Sequence, residues 1–286
     1  MLYFVGEKQN GGLKPTLWRV RSARTIAAMD TFTLHRGSTP LFVSLPHDGT
    51  AVPSDIEARL APSARRVPDT DWHVSRLYAF ARELGASMIV PMYSRYVVDL
   101  NRPQDDTSLY PGQNTTGLCP VLQFSGEPVY QAGEEPTQDE IAERIETYWR
   151  PYHEALVAEL ARIRASHGRV VLWEGHSIKS VTPFLFEGEL PDFNLGTAGG
   201  ASCSVALQSR LIAVLAAARE HTHVVNGRFK GGYITRHYGE PSQDIEAVQL
   251  ELTQLNYMDE ETFEYLDEIA EKTQRVLRAL LQACIA

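Results

Sequence analysis

Hydrophobic positions along the chain form short apolar runs of strand length, separated by longer stretches in which apolar residues recur every three or four positions. The first pattern predicts strands at residues 40–47, 86–93, 95–100, 169–177 and 245–254, and a strand–turn–strand segment over 224–239. The second predicts helices at residues 54–61, 71–85, 137–168, 204–220 and 259–285. Because strands and helices alternate throughout, the sequence predicts an α/β fold with a mixed, largely parallel sheet and helices on both faces.

Residue types at the ends of these stretches predict where the helices begin and end. Ser54 and Thr137 have side chains that commonly cap helix N-termini, and Gly85 and Gly168 stand where helices commonly end. Pro151 lies inside the stretch 137–168, where it either kinks one helix or occupies the first turn of a second one.

Two segments are rich in turn-forming residues and show no regular period. Residues 103–136 contain five prolines, so we expect a long excursion, which in compact domains is usually functional or mobile, and we interpret it as a candidate lid. Gly196, Gly199 and Gly200 would let the backbone approach an anionic ligand ahead of the helix from Ser204, or they form a plain loop.

Composition and charge narrow the class of protein. A formal charge of −9 over 286 residues leaves no basic face for nucleic acid, although a few arginines in one pocket still permit a small anionic substrate. Three widely spaced cysteines and the lack of a long apolar run predict a cytoplasmic protein with neither disulfides nor a membrane span. Residues 1–28 have no signal-peptide pattern and are predicted to be a loosely attached extension of a single domain at 29–286.

Three of the predicted strands carry residues capable of metal or acid–base chemistry. His47 and His176 stand at the ends of two strands, and Glu251 interrupts the apolar alternation of a third. Ligands of open α/β sheets bind at the carboxyl ends of strands, and imidazole plus carboxylate is the ligand set of catalytic zinc. The sequence therefore predicts a zinc site, or one for another divalent transition metal. A single histidine is more often structural, and Glu251 would face solvent if Gln249, Glu251 and Thr253 lay on an exposed face.

A series of motifs, in this order, resembles the N-formylglutamate amidohydrolase family: PLFVSLPHDG, DTDWHVSRLY, SRYVVDLNRP, LWEGHSI, FNLGTAGGASC, GGYITRHYG and QLELTQ. The resemblance covers residues 29–285 and implies a zinc-carboxypeptidase-like (phosphorylase/hydrolase-like) α/β fold. It also implies hydrolysis of N-formyl-L-glutamate to L-glutamate and formate, a reaction of bacterial histidine degradation. Alternatives are a zinc hydrolase of another N-acyl amino acid or short peptide, and a non-catalytic carboxylate-binding protein on the same fold.

The third metal ligand is where the sequence departs from the carboxypeptidase pattern that the resemblance implies. Carboxypeptidase-type sites take a histidine and a glutamate from an HxxE turn, but Thr50 stands three residues after His47 and offers no carboxylate. We expect Asp71 to be the third ligand, although its position before a predicted helix also suits a simple N-cap. The other candidates are Asp69, Asp48 and Glu174.

The resemblance and the chemistry of amide hydrolysis suggest roles for five further residues. Glu251 is the predicted general base, and Arg95 or Arg236 would stabilise the oxyanion. Asn101 and Arg102 resemble the Asn-Arg pair that holds the substrate carboxylate in carboxypeptidases. Because the substrate has two carboxylates and the guanidinium group binds two oxygens at once, Arg236 is a second candidate anchor.

Overall fold

Seven strands form one mixed sheet in the computed structural model, which describes residues 30–286. The strands are β1 (Phe32–His35), β2 (Leu41–Ser44), β3 (Ser87–Pro91), β4 (Val170–Ile178), β5 (Phe193–Gly196), β6 (His223–Val225) and β7 (Ile245–Thr253). Their order is β1-β3-β2-β4-β7-β5-β6. Strands β3, β2, β4 and β7 run parallel to one another, whereas β1 is antiparallel to β3 and β5 is antiparallel to β7. The predicted mixed, largely parallel sheet is confirmed.

Helices cover both faces of this sheet. The α-helices are α1 (Ser54–Glu57), α2 (Val74–Leu77), α3 (Gln138–Arg144), α4 (Arg150–His167), α5 (Val205–Ala217), α6 (Tyr233–Tyr238) and α7 (Asp267–Ile285). Short 3₁₀ segments occur at Pro62–Arg66, Ala79–Arg82, Ala198–Gly200, Pro241–Gln243 and Gln254–Asn256. Within residues 30–286, no helix combines the length and the apolar character needed to cross a membrane.

The buried strands β2, β4 and β7 supply alternate residues to two separate cores. On one face Val43, Trp173 and Leu250 pack with helices α5 and α7. On the other face Phe42 and Leu172 pack with helices α4 and α6. Successive side chains of a strand point to opposite faces, so strands covered on both sides read as nearly continuous apolar runs. The predicted placement of helices on both faces is confirmed.

The stretch 137–168 folds into two helices joined by a π-helical turn. Thr137 caps α3 by accepting a hydrogen bond from the Glu140 N–H, as predicted. The π-helical turn spans Ile145–Trp149 and continues without a break into α4, whose second residue is Pro151. Pro151 thus lies in the first turn of α4, as one prediction has it, but Trp149 and Arg150 keep helical backbone angles, so α4 is not separated from α3 and the irregularity is the π-helical turn just before the proline. Gly168 ends α4 in the left-handed region, at φ 73°.

Several predicted elements are wrong in type or extent. Residues 95–100 form turns, and the segment 224–239 contains β6 and the helix α6. This apolar run does not pair in the sheet. Val98 and Leu100 pack into the core beneath α4 and α6, and Tyr96 and Val97 pack into a third core.

The predicted helices 54–61, 71–85 and 259–285 are shorter than expected: α7 begins at Asp267, and α2 gives way to a 3₁₀ turn. Ser54 lies within α1, whose cap position is Pro53. The extension predicted for residues 1–28 lies outside the described residues, and it and the single domain at 29–286 stay predictions.

Candidate metal centre and active site

The carboxyl ends of β4 and β7 bring polar side chains together on one face of the sheet. Parallel pairing sets Glu174 opposite Gln249 and His176 opposite Glu251. These residues alternate with the apolar residues that face α5 and α7, so they point towards the opposite face. Glu251 is only 7% exposed and Thr253 only 1%. The expectation of a solvent-exposed face at 249–253 is therefore wrong, because the segments that follow the strands cover it.

His47, His176 and Asp71 converge at the carboxyl-terminal ends of β2 and β4. The two histidine Nδ1 atoms lie 3.1 Å apart, and the Asp71 Oδ2 atom lies 2.9 Å from His176 Nδ1 and 3.7 Å from His47 Nδ1. Donor atoms about 2.0–2.2 Å from one tetrahedral zinc ion would be separated by roughly 3.3–3.5 Å. All three side chains are buried, and their chemistry is that of a two-histidine, one-carboxylate set. These residues therefore fit a divalent transition metal.

The outer nitrogen of each histidine is held by a further carboxylate. His47 Nε2 lies 2.7 Å from Asp99 Oδ1, and His176 Nε2 lies 2.7 Å from Glu174 Oε1. A carboxylate in this position keeps the proton on Nε2 and turns the lone pair of Nδ1 inwards. Two inward lone pairs 3.1 Å apart would repel each other unless a proton or a metal ion lay between them. Without an ion, a proton on His176 Nδ1 can take this place and bond to Asp71 Oδ2 at 2.9 Å, and a divalent cation would replace that proton.

The ionisation of Asp71 and His176 reflects their close contact. Burial alone would raise the pKa of Asp71, but hydrogen bonds with His176 and His47 hold it below its ordinary value. Burial would lower the pKa of His176, but the carboxylates of Glu174 and Asp71 raise it well above its usual range. An ionised aspartate beside the two imidazoles supplies the negative charge that a divalent cation requires.

Of the four candidate carboxylates for the third ligand, Asp71 is the one that lies beside both Nδ1 atoms. Asp69 instead accepts hydrogen bonds from the Tyr96 hydroxyl and the Phe124 N–H. Asp48 accepts from the Ser75 N–H. Glu174 contacts the far side of His176 and also accepts from Thr235. Asp71 does not cap helix α2, since its Oδ2 atom accepts from the Ser177 N–H and His73 occupies the cap position.

Glu251 and Arg95 both line the cavity that contains these residues. Burial raises the pKa of Glu251 to about 8; the nearby Asp71 adds to the rise, while His176 and Arg95 oppose it. Arg95 donates to Asp99 Oδ2 at 2.8 Å and to the Asp69 carbonyl at 3.3 Å. Burial would lower the Arg95 pKa, but Asp99 and Asp71 raise it, so the guanidinium stays charged. The cavity thus places a carboxyl that can exchange protons near neutral pH and a fixed cation beside the three candidate ligands.

Two further arginines line the cavity with their charges uncompensated. Arg102 donates from Nε to the Thr116 carbonyl at 2.8 Å, and Arg228 donates to the carbonyls of Leu185 and Asn114. Within residues 30–286, neither guanidinium has a carboxylate within 4.0 Å, whereas the buried Arg95 has one at 2.8 Å. Backbone carbonyls orient these two groups but leave their positive charge available to a ligand.

Arg236, the other predicted anchor, is not brought to the cavity. Its side chain is exposed and its Nε donates to the Gly231 carbonyl. The same predicted strand–turn–strand segment contributes Arg228 instead, and no sequence signal separates these two arginines.

Asp99 was not among the site residues predicted from the sequence, although a carboxylate inside the apolar run 96–100 marks it as unusual. Gly196, Gly199 and Gly200 are not among the residues that line the cavity, and Thr197 caps this turn by accepting from the Gly200 N–H.

Asn101 lines the cavity, and contacts with neighbouring segments fix its side chain and backbone. Its Nδ2 lies 3.2 Å from His176 Nε2, and its Oδ1 accepts from the Ile234 N–H at 2.9 Å. A Cβ at Gly232 would lie 2.2 Å from Asn101 Nδ2, so only glycine leaves room for the amide. His153 contacts the Leu100 carbonyl and the Trp149 indole donates to the Arg102 carbonyl. The backbone on both sides of Asn101 is therefore fixed to the region where the π-helical turn meets α4.

The excursion 103–136 forms much of the cavity wall. It contributes the side chains Tyr110, Asn114, Thr115, Thr116 and Phe124. The segment thus lines the same cavity as the candidate ligands; its role as a lid that moves stays a prediction.

Comparisons with known proteins show the family of this chain. The model of a family described as N-formylglutamate amidohydrolase matches residues 39–258. The chain is 52% identical over 258 residues to the N-formylglutamate deformylase of Pseudomonas aeruginosa, covering 90% of this chain and 97% of that protein. It is also 52% identical over 255 residues to the N-formylglutamate deformylase of Pseudomonas putida, covering 89% and 95%.

A solved structure supports the same relationship. The crystal structure of N-formylglutamate amidohydrolase from Ralstonia eutropha aligns with a TM-score of 0.77 at 25% identity, covering 89% of this chain and 98% of that chain. A gene product from Agrobacterium tumefaciens aligns at 18% identity with a TM-score of 0.65, covering 90% and 97%, which shows the shared fold. The chain is therefore an amidohydrolase and belongs to the N-formylglutamate amidohydrolase family.

Proposed function

We propose that this enzyme hydrolyses the formamide of N-formyl-L-glutamate to formate and L-glutamate, as the last step of a histidine degradation route in the cytoplasm. The observation that carries the proposal is the pair of uncompensated arginines, Arg102 and Arg228, in the same cavity as the three candidate metal ligands. The named relatives act on N-formylglutamate, a molecule with two carboxylates.

Substrate binding follows from the charge of the cavity. Each guanidinium can meet one carboxylate of the substrate, and a planar fork fixes the direction of the group it holds. Holding both carboxylates would leave the formamide as the only part of the substrate free to reach His47, His176 and Asp71. Binding energy from the charged ends then orients the bond that is broken.

Zinc is the metal that we propose for the site, with His47, His176 and Asp71 as its protein ligands; another divalent transition metal is the alternative. The donor set and the inward-facing Nδ1 atoms support this assignment. When bound, the ion would polarise the formyl carbonyl and bring the pKa of water towards neutrality.

Glu251 is the proposed general base and acid. Burial raises its pKa to about 8 in the metal-free protein, and the charge of a bound divalent cation would lower this pKa. The resulting carboxylate would take a proton from the attacking water and pass it to the departing amine. Arg95, which is charged and held by Asp99, would stabilise the negative charge that develops on the formyl oxygen. Asn101, which lines the cavity beside Arg102, would help Arg102 to hold a substrate carboxylate by donating from its Nδ2.

The direct test is formate release from N-formyl-L-glutamate, measured beside a panel of N-acyl amino acids and short peptides. Activity confined to N-formyl-L-glutamate supports the proposal, and a faster reaction with another acyl amino acid or a peptide favours that alternative. Tight binding of the substrate without hydrolysis by the metal-loaded protein would favour a carboxylate-binding protein.

Matched arginine variants test the two proposed anchors. Arg102→Ala and Arg228→Ala should each raise KM for N-formyl-L-glutamate by about ten- to a hundredfold, since each removes a charge-assisted hydrogen-bonding group worth about 1.5–3 kcal/mol. Metal content should not change in either variant. Arg219→Ala is the control, because Arg219 is exposed and does not line the cavity, whereas Arg236 packs on the cavity residue Tyr110. An unchanged KM in either cavity variant would remove that arginine from substrate binding.

Metal analysis tests the ligand set separately. His47→Ala, His176→Ala and Asp71→Ala should each lose the ion, while His167→Ala, on the exposed end of α4, should keep it. Metal retained at full occupancy after loss of Asp71 would return the third ligand to Asp69, Asp48 or Glu174.

A further inference from the structure

A second, larger cavity lies beside the one that contains the candidate metal ligands. The first has a volume of about 70 Å³ and the second about 410 Å³. Among the described residues, the two share only Phe124, Ser177 and Ile178. The far side of the second cavity is partly apolar, with Val181, Pro183 and Phe263 in its wall. These three residues therefore form a partition between a small cavity and a larger one.

Phe124 supplies the bulky, replaceable part of this partition. Ser177 is fully enclosed, with its N–H bonded to Asp71 and its Oγ bonded to the Tyr257 hydroxyl. The Phe124 ring, by contrast, is held from one side by the Arg95 guanidinium, 4.7 Å from the ring centroid. Its backbone is anchored by the bond from its N–H to Asp69 Oδ2 at 2.9 Å. The ring therefore has a fixed position at the boundary of the two cavities.

The partition lies beside the candidate metal ligands. The Arg95 guanidinium, on which the Phe124 ring packs, lies 3.8 Å from Asp71 Oδ1, and Ser177 follows the candidate ligand His176 directly. Arg102 and Arg228 line the first cavity but not the second. With the carboxylates on the two arginines and the amide at the candidate ligands, the acyl group would lie next to the Phe124 ring.

We propose that Phe124 determines the acyl specificity of the enzyme by closing the first cavity to substituents larger than the formyl hydrogen. The proposal rests on the function proposed above. Formyl has only a hydrogen beyond its carbonyl carbon, whereas acetyl has a methyl group that would meet the ring. Removing the ring would join the acyl end of the first cavity to the second, which has room for a longer chain.

The test compares kcat/KM for N-formyl-, N-acetyl-, N-propionyl- and N-butyryl-L-glutamate in the wild type, Phe124→Ala and Phe124→Leu. The wild type should strongly prefer formyl. Phe124→Ala should raise the ratio of kcat/KM for the acetyl substrate to kcat/KM for the formyl substrate by about 10- to 200-fold. This is the discrimination that an enzyme pocket typically achieves against one additional methylene group. Because the second cavity is large, the gain should persist for propionyl and butyryl. Phe124→Leu should give a smaller gain.

Phe263→Ala is the matched control, since it removes the same ring from the second cavity but leaves the partition in place. Its acetyl-to-formyl ratio should equal that of the wild type. An unchanged ratio in folded Phe124→Ala, or equal wild-type rates on formyl and acetyl substrates, would overturn the assignment of Phe124. If Phe124→Ala fails to fold by circular dichroism, the same ratio in Phe124→Leu decides. Absence of any formate release by the metal-loaded wild type would instead refute the proposed function itself.

Discussion

Asp99→Asn isolates the contribution of a carboxylate that touches no substrate in the proposed mechanism. The Asp99 side chain is fully buried and contacts three groups: Oδ1 lies 2.7 Å from His47 Nε2 and accepts from the Asn101 N–H at 2.8 Å, and Oδ2 accepts from Arg95 at 2.8 Å. Burial would raise the pKa of Asp99, but His47, Arg95 and Arg102 hold it well below its ordinary value, so the group is ionised at neutral pH. Asparagine has the same shape but neither the charge nor a second acceptor oxygen.

The expected magnitude follows from these three contacts. If the NH₂ group of the new amide turns towards His47, it meets the N–H groups of both His47 and Asn101; if it turns towards Arg95, it meets the guanidinium, and His47 keeps a bond only to an uncharged amide oxygen. In either orientation the charge-assisted bond to His47 is lost or weakened. Loss of a carboxylate that orients a ligating histidine typically weakens metal binding 10- to 100-fold. That range corresponds to about 1.4–2.7 kcal/mol of binding free energy.

Competition for zinc with a chromophoric chelator measures this change directly. Asp139→Asn, on the exposed first turn of α3, is the control and should bind metal like the wild type. Thermal unfolding of the chelator-treated proteins separates loss of metal affinity from loss of folding. A zinc Kd for folded Asp99→Asn within about twofold of the wild-type value would refute the view that this carboxylate orients His47, since the predicted change is at least about tenfold.

Two further predictions concern the ionisation and the packing of the site. Burial raises the Glu251 pKa from 4.5 to about 8, so the metal-free folded protein keeps a proton that the unfolded chain releases. The contribution of this group to stability therefore falls as pH rises through that window. Between about pH 5 and about pH 8, the free energy of unfolding measured with urea should fall more in the chelator-treated wild type than in Glu251→Gln. An equal change with pH in the two proteins would contradict this pKa assignment. Gly232→Ala should lower kcat/KM at least about tenfold, because its Cβ would lie 2.2 Å from Asn101 Nδ2 and displace that amide. Gly133→Ala is the control for backbone strain, because Gly133 has a φ of +81° but an added Cβ there meets no atom within 4 Å; this variant should keep its activity. Full activity in Gly232→Ala would show that Asn101 tolerates displacement.

The sequence predicted best those parts of the molecule that are governed by local pattern. Strands β4 and β7 are long apolar runs that are buried on both faces, and their polar C-terminal residues therefore stood out as candidates for chemistry. His176 and Glu251 were found in this way. Their pairing across neighbouring strands follows from the parallel order of the sheet, which a periodic pattern alone does not reveal.

The remaining parts depend on contacts between distant segments. Residues 95–100 read as a strand because buried turns and buried strands have the same apolar composition. Arg228 and Arg236 are equivalent in sequence terms, and the fold directs only Arg228 towards the cavity. Asp99 acquires its significance from His47, a partner 52 positions away.

The parallel sheet also has a consequence for how the protein acquires its metal. Strand β2 pairs in parallel with β4, so Ser44 and Glu174 become neighbours only after a long loop of chain has closed. Such non-local pairings form slowly during folding, and the unfolded chain offers no preformed set of ligands. We therefore expect metal uptake to follow closure of the sheet, with its rate limited by folding. Binding of the ion would then mark the chain as fully folded and would slow its later unfolding.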